Sequence, residues 1–363
     1  MRRFGFFVHP LDMRDVVRIA PQSKGKRLPL VEKILEWTPA HEVAYIQGLK
    51  CADGEDAEGW FIGIPLLPKQ ITGLPKEFVL KRLYEGALLA KERGAQILGL
   101  GGYTSVIGKG GIELAEMLPE LPMTSGNSCT TAAAIDATAR AAERIGIDLA
   151  SAKVAVVGGS GSIGAVCAKV FAANEQAAEI TLIARNQIRL EKVANEIHEE
   201  TGKTVLTNNS VQDGIKDADI IISATSSSGD IIKAEYIKSG ALICDVSLPH
   251  DVCRDVATKR PDVLVIEGGL MQVPEGVDLN YDFGFDPGIA LACMAETMTL
   301  CMEGRFETYS IGRGLQLEKV REIYSMAKRQ GFSLAGFRSF ERLVTDEMIE
   351  KVIKAKNTAE VQE

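Results

Sequence analysis

The chain has 363 residues, 46% of them hydrophobic and 25% charged, with a formal net charge of −8. That length allows two domains with ample core, and the composition is that of an ordinary folded enzyme rather than a disordered or fibrous chain. The acidic balance argues against nucleic acid or an anionic membrane as the main partner. No run of about 18 apolar residues offers a membrane span.

The start, Met1-Arg-Arg-Phe-Gly-Phe-Phe-Val-His-Pro10, is basic and then apolar. Its apolar run is too short for a signal peptide, so it reads as a first strand, Phe4–Val8. Seven cysteines without framework spacing fit a reducing cytoplasm. There is no C-x-x-C, and His9, His41, His198 and His250 are scattered, so no metal site is expected.

Further strands are predicted at Val43–Leu49, Trp60–Leu67 and Gln96–Gly101, with a helix over Phe78–Arg93 carrying Val79, Leu83, Ala87 and Ala90 on one face. Residues 1–123 therefore read as an α/β substrate domain. Met123-Thr-Ser-Gly-Asn-Ser-Cys-Thr130 opens an alanine-rich helix, Thr131–Ile145, within a bridging segment 124–150. Strands at 153–157, 179–184, 219–223, 241–246 and 263–267 alternate with helices, the pattern of a doubly wound parallel sheet over 151–285. Asp286-Pro-Gly288 is expected to start a helix, Ile289–Glu303, in a C-terminal helical region 286–363 that returns to the first domain, with Lys354–Glu363 fraying. The fold class is α/β: a substrate domain, a Rossmann domain and C-terminal helices.

The strand Lys153–Val157 runs directly into Gly158-Gly-Ser-Gly-Ser-Ile-Gly164 and a helix over Ile163–Phe171. A glycine-rich turn between strand and helix points backbone N–H groups and the positive end of a helix dipole at a pyrophosphate. Gly158, Gly159, Ser160, Gly161, Ser162, Ile163 and Gly164 are therefore cofactor-binding candidates. The next strand ends in Arg185-Asn186, with no acid to receive ribose hydroxyls. A guanidinium there suits the 2′-phosphate of NADP, so the expected cofactor is NADPH, and the plainer reading is a solvated arginine opening the helix Gln187–Thr201. Loops after later strands should line the same crevice: Ala224, Thr225 and Ser226 within 224–229, then Asp245–Pro249 and Glu267–Gly269.

For chemistry at a carbonyl, His250 near the cofactor edge reads as solvated or capping. Cysteine offers more. Cys293 lies within about two turns of a helix start, which favours thiolate, although Glu296 one turn on opposes it. Cys129 near the bridging-helix start is a rival, and Cys301 reads as core.

Several stretches together resemble a known family: Leu100-Gly-Gly-Tyr-Thr-Ser105, Thr124-Ser-Gly-Asn127, Val154–Gly158 with Gly161 and Gly164, and Ala184-Arg-Asn-Gln-Ile-Arg-Leu190. The likeness continues through Ala292-Cys-Met-Ala-Glu-Thr-Met298, Glu303-Gly304 and Tyr309-Ser-Ile-Gly-Arg-Gly314. In order and spacing they resemble the cyanobacterial long-chain acyl-(acyl-carrier-protein) reductases, which make fatty aldehydes with NADPH. The likeness covers residues from about 95 to 335, and the first 90 match poorly. The resemblance implies an acyl-accepting cysteine at Cys293, with Tyr103, Thr104, Ser105 and Asn127 as candidates to bind the developing oxyanion or the acyl chain. Turn and helix-cap chemistry is their plainer reading. The family usually has a histidine in the Gly-Asn-x-x-Thr stretch, where this chain has Cys129.

The implied partners are a fatty acyl thioester on acyl carrier protein or coenzyme A and an aldehyde-consuming enzyme, in the cytoplasm. The alternative is a shikimate-dehydrogenase-like NADP-dependent hydroxyl/carbonyl oxidoreductase with Lys69 as its lysine; Cys129 stands where that family has its aspartate. A third reading, a non-catalytic NADPH-responsive binding protein, would keep the glycine loop and Arg185 without needing Cys293.

Overall fold

A computed structural model describes residues 1–174, 177–227, 229–340 and 342–360, without the side chains of 359 and 360. The chain divides into two compact units. Unit 1 comprises Met1–Cys129, Met271–Gly314 and Glu322–Ser333; unit 2 comprises Thr130–Leu270, Leu315–Arg321 and Leu334–Glu363.

Unit 1 is built on a five-stranded sheet of β1 (Arg2–Val8), β2 (His41–Lys50), β3 (Asp56–Gly63), β4 (Ile97–Gly99) and β5 (Met123–Thr124), in the order β2-β3-β1-β4-β5. Only the edge pair β2·β3 is antiparallel. Its burial alternates along β2, whereas central β1 is buried continuously from Phe4 to Val8. A strand covered on both faces can carry such an unbroken apolar run. One cover is the helix Lys76–Glu92, whose Val79, Leu83, Ala87 and Ala90 join Phe7, Ile62 and Leu98 in one core. The other is the helix Ala292–Met302, which packs on β1 and β4. Gly99 permits that approach, because a Cβ there would lie 2.2 Å from Thr297 Oγ1.

Unit 2 holds six strands: β6 (Lys153–Val157), β7 (Glu179–Ile183), β8 (Leu206–Asn208), β9 (Ile220–Ser223), β10 (Leu242–Asp245) and β11 (Leu264–Glu267). They are all parallel, in the order β11-β10-β9-β6-β7-β8. This is the doubly wound Rossmann order, with its topological switch between β6 and β9. Strands β9, β10 and β11 are buried at every position, as a sheet flanked by helices on both faces requires. β8 escapes the sequence reading because it is a three-residue edge strand, half exposed and without an apolar run.

Three expectations shift. The bridging helix begins at Asn127 rather than Thr131, because Gly126 turns the chain at φ 75° directly before it. The expected helix Ile289–Glu303 starts as a strand, Ile289–Leu291, and becomes helical only at Ala292. Pro287 therefore does not set the helix start. The C-terminal region is less uniformly helical than expected: unit 2 includes a short hairpin of Arg338–Ser339 with Arg342–Leu343. Its last helix, Asp346–Glu360, continues through most of the stretch expected to fray, and residues 361–363 lie outside the described residues.

Candidate functional site

Unit 2 presents its glycine turn at the carboxyl end of β6. Gly158 and Gly159 donate their N–H groups to Ile183 O at 2.9 and 3.1 Å, which pins the turn to β7. Gly158 has φ 84°, and a Cβ on it would lie 2.3 Å from Ala224 O. A Cβ on Gly164 would strike Gly158 O at 2.5 Å, so that glycine lets the helix lie on the turn. Gly161 differs. A Cβ there would meet nothing nearer than 3.2 Å, and Gly161 begins the helix Ser162–Ala173, which no side chain caps. Compact glycines behind an uncapped helix start fit a pyrophosphate. Ser160, Ser162 and Ile163 line the rim half-buried.

Arg185 follows β7 by two residues and is exposed, so its guanidinium is available near the pinned turn. Asn186 plays a structural part, because it caps the helix Gln187–Thr201, its Oδ1 accepting from Arg189 N at 3.1 Å.

The loop after β9 is organised by a residue that the sequence did not single out. Buried Asp251 accepts from Ser223 Oγ at 2.7 Å, Thr225 N at 3.2 Å, Thr225 Oγ1 at 2.6 Å, Ser227 Oγ at 2.7 Å and Ser247 Oγ at 2.5 Å. Ala224 and Thr225 are thereby held beside Gly158 and Ser226 follows them in the same loop, while Ser228 lies outside the described residues. Asp245 accepts from Ser247 N and Val252 N, both at 3.0 Å, and burial raises its pKa. His250 is not the solvated residue expected. It sits between Asp245 Oδ2 at 3.5 Å and Glu267 Oε1 at 3.6 Å, edge-on to Phe340.

Unit 1 gathers the remaining candidates around the start of the helix Ala292–Met302. Cys293 is its second residue and is half-buried. A Cβ on Gly126 would lie 2.2 Å from Cys293 Cα, so the turn before Asn127 lies directly against the cysteine. Burial pushes the Cys293 thiol up to about 12, helped by the Glu296 charge, while the N–H groups of Met294, Cys293 and Gly102 pull the other way. The helix start thus favours the anion as expected, but burial outweighs it. The resting group is a thiol.

Glu296 is wholly buried and ties three segments together. Its Oε1 accepts from Thr124 Oγ1, and its Oε2 accepts from Cys129 N at 2.7 Å. Ser310 Oγ and Gly126 N add further bonds. Ser310, strained at φ 49°, also accepts on its Oγ from Ser128 N at 3.3 Å, lies with that Oγ 2.6 Å from Ser128 Oγ, and receives Ser125 Oγ on its carbonyl. Burial still raises the Glu296 pKa, despite these donors.

The oxyanion candidates fare unevenly. Thr104 and Ser105 direct their hydroxyls into their own turn, to Gly101 O at 2.8 Å and Gly102 O at 2.7 Å. Tyr103 is buried, and its backbone N–H donates to His9 Nε2 at 3.0 Å. His9 therefore donates through Nδ1 to Pro10 O at 3.1 Å, and burial pulls its pKa down to about 4. Asn127 is half-buried as the first helix residue. The groups that face the Cys293 sulfur are backbone N–H donors, Gly102 among them.

The rival nucleophile is sealed. Cys129 has no exposed surface, its sulfur lies 3.5 Å from Met271 Sδ, and burial raises its thiol pKa far above the ordinary value. Cys301 is core, as expected. Lys69 is exposed on the short helix Pro68–Gly73. Among the described residues no cluster of His, Cys, Asp and Glu could hold a metal, and no helix is long and apolar enough to cross a membrane.

Residues 140–267 match the shikimate/quinate 5-dehydrogenase family, a match confined to part of the chain. The chain is 29% identical over 350 residues to the aminotransferase PigE of a Serratia strain, spanning 93% of this chain but only 40% of that protein. It is 26% identical over 296 residues to the long-chain acyl-[acyl-carrier-protein] reductase of Synechococcus elongatus, covering 77% of this chain and 84% of that protein. Among solved structures, L-tryptophan dehydrogenase from Nostoc punctiforme aligns over 99% of this chain and 89% of its own, at 12% identity and a TM-score of 0.37. The matched residues 140–267 lie almost wholly in unit 2, whose six-stranded parallel sheet has the Rossmann order that holds a nicotinamide dinucleotide.

Glu296→Gln tests the carboxylate tie. A raised folded pKa means that the carboxyl stabilises fully below its unfolded value near 4.5 and loses that contribution as pH rises through the folded value. The stability gap, from urea midpoints, should therefore move in favour of Glu296→Gln as pH rises above the ordinary carboxyl value near 4.5. Removing the charge should also lower the Cys293 pKa and speed its labelling by iodoacetamide. A constant gap with slower labelling would contradict both expectations.

Proposed function

We propose that the chain reduces a fatty acyl thioester, carried on acyl carrier protein or coenzyme A, to the aldehyde with NADPH through an acyl-enzyme at Cys293. The observation that carries this reading is the seat of Cys293. It is the half-buried cysteine at a helix start, ringed by backbone N–H donors and fixed by Glu296. Similarity to the Synechococcus acyl-[acyl-carrier-protein] reductase over 77% of the chain supports the same reaction class.

The Cys293 sulfur attacks the thioester carbonyl; the carrier sulfur leaves and takes the thiol proton, so charge balances at the transfer. Burial holds the resting group as the thiol, so in this reaction proton transfer accompanies attack. The N–H groups of Gly102, Cys293 and Met294 that favour the sulfur anion are also suited to a negative oxygen formed beside it. His9 holds the Gly102–Ser105 turn through Tyr103 N–H, and Glu296 holds the helix; both are positioning residues. Gly158–Gly164 and Arg185 would hold the pyrophosphate and 2′-phosphate of NADPH, with Thr225 beside them. When bound, the nicotinamide supplies the hydride that converts the acyl group to aldehyde. The aldehyde then passes to an aldehyde-consuming enzyme. With only 40% of PigE matched, its aminotransferase name does not transfer to this chain.

The shikimate-dehydrogenase-like alternative draws on the match over residues 140–267, which includes neither Lys69 nor Cys129. An exposed lysine and a sealed thiol offer no acid–base pair comparable to the Cys293 seat.

Cys293→Ser should fold and bind NADPH but lose thioester reduction by several orders of magnitude, because a hydroxyl without an adjacent base is a weak nucleophile. Cys129→Ser, a buried swap costing about 1–2 kcal/mol, should retain most activity in single-turnover NADPH oxidation. The reverse pattern would refute the assignment.

Arg185→Ala should weaken NADPH binding by roughly 1.5–3 kcal/mol and leave NADH almost unchanged. Equal losses in a titration with both cofactors would make Arg185 structural only.

A further inference from the structure

The helix Leu28–Trp37 is apolar on two sides. Val31 and Leu35 face inward, packing with Val16 and Leu67. Leu30, Ile34 and Trp37, spaced four and three residues apart, share another face. That face is open: Leu30 is 53% exposed, Ile34 50% and Trp37 74%. Leaving a tryptophan and two aliphatic side chains in water along one ridge is unfavourable unless something covers them.

The charge beside the ridge says what covers it. Residues 24–37 carry Lys24, Lys26, Arg27 and Lys33 against Glu32 and Glu36, a local excess of positive charge in a chain of net charge −8. Lys24, Lys26 and Arg27 are exposed, and among the described residues none pairs with a carboxylate. Lys33 lies over the Trp37 ring at 5.9 Å and bonds Glu36 at 2.7 Å. At physiological salt a charge acts over only about 8 Å, so this local excess governs what the ridge meets, and the acidic remainder is screened.

We propose that the segment Lys24–Trp37 docks on an anionic lipid surface. The aliphatic side chains and the indole enter the acyl boundary, and Lys24, Lys26 and Arg27 meet the headgroups. Trp37 with an ammonium over its ring has the amphipathic character that favours the boundary between water and hydrocarbon. This docking is independent of the reaction assigned to Cys293.

The chain has two tryptophans, so Trp60→Phe leaves Trp37 as the sole reporter. The full-length variant is mixed with phosphatidylcholine vesicles, either pure or containing roughly one-third phosphatidylglycerol. Cosedimentation and a shift of Trp37 emission to shorter wavelength are expected with the anionic vesicles and not with the neutral ones. Lys24→Glu/Lys26→Glu/Arg27→Glu, three exposed changes compatible with folding, should lower the partition coefficient at least about tenfold. Ile34→Ser, which keeps every charge, should lower it as well. Equal binding to neutral vesicles, or no binding to either, would overturn the proposal. A Trp37 shift that follows protein concentration without lipid would assign the ridge to a second copy of the chain. A shift with an acidic carrier protein but not with vesicles would assign it to a protein partner. Either result excludes the lipid surface as occupant.

Discussion

The turn and the helices that seat Cys293 in unit 1 are joined by one buried carboxylate. Glu296 reaches from the helix Ala292–Met302 to Thr124 and Cys129 N, groups 172 and 167 positions away in the chain. A carboxyl group in such a place costs desolvation free energy, and only several donors aimed at its oxygens make it tolerable. The donors come from the turn before Asn127, from the first turn of the next helix and from Ser310. Satisfying Glu296 therefore fixes three segments at once. It presses Gly126 against Cys293, where a side chain larger than hydrogen would not fit.

Unit 2 solves a similar problem in the same way. Buried Asp251 gathers the hydroxyls of Ser223, Thr225, Ser227 and Ser247, and so sets the loops beside the glycine turn. In both units an acid organises backbone without itself being the cap of the helix start. The helix starts stay uncapped by side chains, at Ser162 in one unit and at Ala292 in the other. Uncapped starts leave N–H groups for an anion: a phosphate at the first and, in the proposed reaction, a sulfur or oxygen at the second.

Much of this was legible in the sequence where local pattern decides structure. Lys153–Val157 matched its strand to the residue, and Gln187–Thr201 matched its helix. The Rossmann class followed from buried β-branched runs at regular intervals. Short, half-exposed β8 gave no such signal, and Ile289–Leu291 read as helix because Pro287 and Gly288 resemble a helix start. The sites were harder to read. In the sequence Glu296 reads only as a charge near Cys293, because its partners Thr124 and Cys129 lie more than 160 positions away. Thr124-Ser-Gly-Asn127, the cysteine motif and Tyr309-Ser310 stand as separate stretches in the sequence, and the fold joins them through one carboxylate. His9 and Asp251 sit in no motif, and their roles emerge from the groups that donate to them.

The central claim is that Cys293 takes the acyl group before any hydride moves. Its most direct test mixes the intact protein with a long-chain acyl thioester in the absence of NADPH and measures protein mass, followed by peptide mapping. One acyl group, attached to the peptide containing Cys293 and released on adding NADPH, is the expected result. No adduct, or an adduct on Cys129 or Cys253 that persists when NADPH is added, would contradict it.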